Sequence, residues 1–203
     1  MTYQIIQPPF TLEFSKMSKN ELKAYDKWFR SEIPIRIREL AHAVGESPAF
    51  ASWQPDFKPE SLVPLGEWLA KELETRPRTE NEIRDLSKDN PYPIDIPDKT
   101  LSNRSYSLAM DTAMYLSQVL LKNNPSLRWN QSLDDKSYAD YGQPLLVGPA
   151  PLPLNPVRVT LAVAFGIVRG TDTAAGLREL YDIWTDLLIR GKAPPLRGSP
   201  TGR

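Results

Sequence analysis

A chain of 203 residues, 40% of them apolar, holds enough material for one sizeable core. Its 25 basic and 25 acidic residues cancel, which excludes a net field able to hold a polyanion. It has no cysteine, which excludes disulfides, thiol catalysis and thiolate metal sites.

The opening IIQPPFTLEF reads as an extended arm, because two consecutive prolines oppose both a helix and an internal strand. It lacks a basic region leading into a signal-like apolar run, and no later segment has the apolar length of a membrane span; the expectation is a cytoplasmic protein with no membrane partner. Ser18 followed by Glu21 forms the pattern of a capping box, and Leu22, Tyr25, Trp28 and Phe29 then make a helical apolar face. In IRIRELAHAV, Ile33, Ile37, Leu40, Ala41 and Val44 share a side, while Arg36 and Arg38 are expected in solvent. Pro34 predicts a break or bend between these two stretches.

GESPAFASWQPDFKPES is turn-rich and carries Phe50, Trp53 and Phe57 between prolines. Such rings either cover a core edge or present an interaction patch. The spacing of Leu62, Leu65, Leu69 and Leu73 predicts a helix over 59–73. ENEIRDLS predicts a short helix, and NPYPIDIPDKT a proline-rich loop that carries Tyr92 and an extended fragment at 94–96. Ser102 or Asn103 starts a long helix in which Tyr106, Ala109, Met110, Ala113, Leu116 and Leu120 share a face, and Asn124-Pro125 stops it.

Two short segments around the polar DDKS predict an antiparallel hairpin over about 127–147, with Trp129 against the long helix and Tyr138 and Tyr141 framing it. PAPLPLNP, with four prolines in eight residues, reads as a rigid connection. Asn155-Pro156 caps an apolar helix that RGTDT ends, and a last amphipathic helix begins at Thr171 or Asp172. Trp129 and Trp184 are expected to close the core, each indole N–H finding a polar neighbour. Residues 1–193 are thus read as one compact domain with an extended arm, and residues 194–203 as a flexible tail. The fold class is α+β: a predominantly helical single domain with a small antiparallel hairpin.

Diagnostic chemistry is sparse. His42 is the single histidine, without a local nucleophile or orienting group. No HExxH, GxGxxG, GxxxxGKS or GxSxG pattern occurs. RIRE is too short for a phosphate track, so no nucleic-acid partner is expected, and no cofactor is implied. Glu67, Glu72 and Asp111 lie on or beside helices expected to pack, and their convergence would make a small metal-dependent or acid/base enzyme the alternative reading. The favoured reading is a protein-interaction module anchored by Trp53, Phe57 and Tyr92.

SKNELKAYDKWFRSEIPIRIREL and MDTAMYLSQVLLKNNPSLRWN followed by YGQPLLVG resemble a poorly characterised bacterial family of the kind found among candidate toxin-immunity proteins. The resemblance spans Ser18 to Phe165 and rests on aromatic and apolar spacing. It implies recognition of a protein partner, a toxin in its most concrete form, and transfers no site residue.

Overall fold

The computed structural model describes residues 3–88 and 95–192. At its centre is the long helix expected from Tyr106 onward. Three α-helices precede it among the described residues: α1 (Lys19–Gly45), α2 (Leu62–Glu72) and α3 (Glu80–Lys88); the central helix is α4 (Asn103–Asn123). Ser18 caps α1 with the reciprocal Glu21 bond, and Ser102 caps α4 by accepting from the Ser105 N–H. α4 buries more than the one face its apolar spacing marks, because α1, α2, α5 (Pro156–Arg169) and α6 (Gly176–Arg190) all pack on it. Leu108, Ala109, Ala113, Met114, Leu116 and Leu120 have no exposed surface.

The break expected at Pro34 does not occur: α1 runs through it for 27 residues. Pro34 is exposed, with Ile33, Arg36 and Ile37 packed on the other side. Pro34 has no N–H to donate to the Arg30 carbonyl one turn back, so α1 goes without that one bond. Burial along the rest of α1 holds the helix together.

Two antiparallel hairpins flank the helices. The hairpin expected over 127–147 is present: β3 (Arg128–Gln131) pairs with β4 (Pro144–Val147), in a register that sets Trp129 opposite Leu146. Gln131 fixes this hairpin to α1 by donating to the Leu22 carbonyl at 2.7 Å, and Gly142, at φ 74°, lets the chain close on the Leu22 side chain. The second hairpin, β1 (Thr75–Pro77) with β2 (Lys99–Leu101), was not expected; it brackets α3. α6 begins at Gly176, later than Thr171 or Asp172, because a turn at 171–175 follows the left-handed Gly170 that ends α5.

The tryptophans that close the core are Trp68 and Trp53. Trp68 is 1% exposed and donates to the Ser47 hydroxyl at 3.1 Å. Trp129 and Trp184 are half-buried on its margin, and neither indole N–H has a partner among the described residues. Trp129 stands edge-on to Phe29 of α1, with ring centres 5.8 Å apart. The proposed tail at 194–203 lies outside the described residues.

Candidate interaction site

The segment between α1 and α2 is held down by two aromatic residues. Trp53 is 6% exposed: its indole donates to the Ser61 carbonyl at 3.0 Å, and its ring meets Tyr115 of α4 edge-on at 5.4 Å. It is a core residue, with no free face to offer as an anchor. The Tyr115 hydroxyl accepts from the Phe57 N–H at 3.1 Å and pairs with the Ser61 hydroxyl at 2.6 Å, while that hydroxyl donates to the Lys58 carbonyl. Burial raises the Tyr115 pKa, so the phenol stays protonated and keeps its donor.

Phe57 carries the strained backbone of this segment. Its φ of 61° lies in the left-handed region, which costs a non-glycine residue about 1–3 kcal/mol. The Tyr115 bond to its N–H and an Asn123 bond to its carbonyl, at 2.8 Å, hold it there. The ring is half-buried beside Tyr115, and the Lys122 ammonium sits 3.3 Å from its centre.

Phe57 forms one side of a groove of about 470 Å³ whose other sides come from α1, α4 and β3. Pro34, Pro55 and Trp129 supply its apolar surface, and Arg30, Arg38 and Lys122 its charge; no Asp or Glu lines it. Arg30 lies 5.6 Å over the Trp129 ring and pairs with Asp26 at 2.8 Å. Arg38 and Lys122 have no ion pair among the described residues. The groove thus joins two half-buried aromatic rings to the charges of Arg38 and Lys122, which no acidic group of the groove offsets.

The remaining candidates separate. Tyr92 lies outside the described residues. His42 is exposed, 3.4 Å from Glu46 one turn on. Glu67 faces solvent, and Glu72 pairs with Arg104 at 2.6 Å. Asp111, read as a residue that either joined a carboxylate cluster or faced water, does neither. Arg36 grips it bidentately at 2.8 and 2.7 Å, the Tyr3 hydroxyl donates to it at 2.5 Å, and its side chain is wholly buried. Arg36, expected in solvent, is 6% exposed. Burial pushes the Asp111 carboxyl upward, opposed by the Arg36 hydrogen bonds; burial also works against the Arg36 charge, and Asp111 outweighs it there. The cluster fastens the arm: Arg36 also donates to the Gln4 carbonyl at 2.7 Å, and the Ile6 N–H donates to Ser107 at 2.9 Å. Among the described residues no three His, Asp or Glu side chains gather where a metal ion would sit.

Sequence reasoning reached Phe57 and missed its partners Lys122, Arg38 and Trp129. Lys122 carries no signal, being one lysine in the last turn of a helix. Arg36 carried one: it stands in register with Ile33 and Leu40, inside the apolar stripe. No helix among the described residues is long and apolar enough to cross a membrane. No protein-family model, no curated protein and no solved structure matches this chain.

Proposed function

We propose that the protein is an interaction module whose Phe57–Trp129 groove receives an acidic, partly apolar segment of a partner protein. The observation that carries this reading is the left-handed Phe57, held by two hydrogen bonds beside a lysine with no acidic neighbour in the groove. Backbone strain of this kind persists only where its surroundings over-determine it, and it gathers at functional positions. Aromatic and cationic side chains together favour a partner that brings carboxylates around an apolar anchor. A toxin as that partner, met in the cytoplasm, is the most concrete form of the reading and is supported by the aromatic and apolar spacing of 18–165.

The test is selection of displayed twelve-residue peptides on the whole protein, followed by affinity measurement against two variants. Phe57→Asn removes the ring while tolerating the left-handed backbone, and Lys122→Glu reverses the charge. Expected are enriched peptides with Asp or Glu around Leu, Phe or Trp, binding each folded variant at least about tenfold more weakly. Peptides that bind both variants unchanged, or no enrichment on the folded protein, overturn the reading. A toxin partner requires in addition that co-expression of this chain relieve the growth defect its captured partner causes, and that Lys122→Glu lose that relief.

A further inference from the structure

The N-terminal arm covers a second cleft of different chemistry, about 670 Å³ in volume, between itself and helices α1, α4 and α5. Ile5 and Leu12 of the arm face Tyr25, Met110, Val157 and Leu161 across it. No Asp, Glu, Lys, Arg or His lines it. The volume lies within the roughly 300–1,000 Å³ of small-molecule sites.

Most polar groups on its walls are already engaged. Ser107 accepts from Ile6 and pairs with the Tyr3 hydroxyl at 2.7 Å. Asn155 caps α5 and donates to Asp140 at 2.8 Å and Gln143 at 2.9 Å. The Tyr106 hydroxyl pairs with Thr100 at 2.8 Å. Tyr25 differs: it is 4% exposed, its ring is held by Phe10 at 5.5 Å and Phe14 at 5.0 Å, and its hydroxyl has no partner among the described residues. That hydroxyl is uncommitted and can donate to an acceptor that enters the cleft.

The arm is fixed where it forms the wall. The Arg36–Asp111–Tyr3 cluster holds one end, and the Phe10 and Phe14 contacts with Tyr25 hold the other stretch. Leu12, between those two rings, takes the left-handed φ of 59° and is 42% exposed. The cleft is therefore preformed, with mainly apolar walls, the Tyr25 hydroxyl and the exposed Gln7 and Asn103 amides as its uncommitted polar groups, and nothing to neutralise a charge.

We propose that this cleft binds a small, uncharged, mainly apolar molecule that offers one hydrogen-bond acceptor to the Tyr25 hydroxyl, in the class of medium-chain alcohols, esters and lactones. This site is separate from the Phe57 groove and stands without the interaction reading. A carboxylate or ammonium drawn to the same place would lose water with no opposite charge to replace it. Selectivity against charge follows from the walls themselves.

The probes are 1-decanol and, as its charged counterpart, decanoate at pH 8, titrated into the full chain by calorimetry, with methyl NMR to locate the perturbation. Expected are one-to-one binding of 1-decanol with shifts centred on Met110, and decanoate weaker by about tenfold or more. Tyr25→Phe keeps the ring and should weaken 1-decanol by about three- to tenfold, the range of one net hydrogen bond. Leu161→Trp and Met110→Trp, on different helices, fill the space and should each abolish binding; cooperative unfolding of either one suffices to read the result. Absence of saturable 1-decanol binding to the folded wild type overturns the site. Equal decanoate affinity, or a Tyr25→Phe variant with unchanged affinity, overturns the uncharged-acceptor chemistry.

Discussion

Asp111 is the residue whose environment differs most from what its neighbours in sequence suggest. Its carboxylate, fully buried and held by Arg36 and Tyr3, cannot lose its charge without leaving the guanidinium unpaired in the interior. Asp111→Asn should therefore cost about 3–5 kcal/mol in denaturant unfolding, the usual penalty for breaking a buried pair. Thr112, beside it in sequence, makes the opposite prediction. Its hydroxyl is buried and has no hydrogen-bond partner, so Thr112→Val should raise unfolding stability by about 1 kcal/mol in the same assay. Neither environment was legible at its own position, and the one signal, Arg36 inside the apolar stripe, is ambiguous. Arg36 alternates with isoleucines in IRIREL, which reads equally well as a long side chain reaching water, and its partner lies 75 residues away. Phe57 was legible as an aromatic in a proline-rich turn, but its left-handed backbone was not, because nothing short of the Tyr115 and Asn123 bonds dictates it.

Helix starts and stops were the clearest part of the sequence, since Ser18 with Glu21, Ser102 and Asn155-Pro156 act through atoms within three residues of each cap. The same local chemistry makes α3 a titratable element. Thr79 and Glu82 bond reciprocally at its start, and Arg76 of β1 grips Glu82 at 2.6 and 2.9 Å. These hydrogen bonds, Arg76 first and the Thr79 backbone second, lower the Glu82 pKa from 4.5 to about 2. A lowered folded pKa means that the attachment of α3 is fully present above about 4.5 and is lost as pH falls toward about 2. A carboxyl carbon titration by NMR should show Glu82 far below the other glutamates, and Arg76→Ala should bring it back up. Between α2 and α6 the controlling feature is Gly66: a Cβ there would collide with the Ala174 carbonyl. Gly66→Ala should destabilise by about 1–3 kcal/mol in thermal or denaturant unfolding, because the obstacle is backbone. The β1–β2 hairpin escaped the sequence reading because TRP and KTL are three residues each, show no alternation, and find one another across the whole of α3.

For the whole molecule, the arm is the part that ties distant regions together. Tyr3 reaches Ser107 and Asp111 of α4, and Arg36 of α1 reaches back to Gln4. Tyr3→Phe should lower stability by about 1 kcal/mol and make the arm the first site of limited proteolysis, measured by mass spectrometry of early fragments. A predominantly helical single domain was readable from periodicity and caps. The path of the arm was not, since its prolines specify an extended chain but not the helices it crosses.

The distance between Arg36 and Asp111 also orders events in time. At about 5–20 residues per second on a ribosome, the 75 residues that separate them take roughly 4–15 seconds to appear. Throughout that interval the nascent α1 carries a guanidinium in its apolar stripe with no counter-charge yet made, so it cannot bury that face early in a wrong partner without stranding the ion. The arm, translated before α1, has to wait for α4 before it can dock.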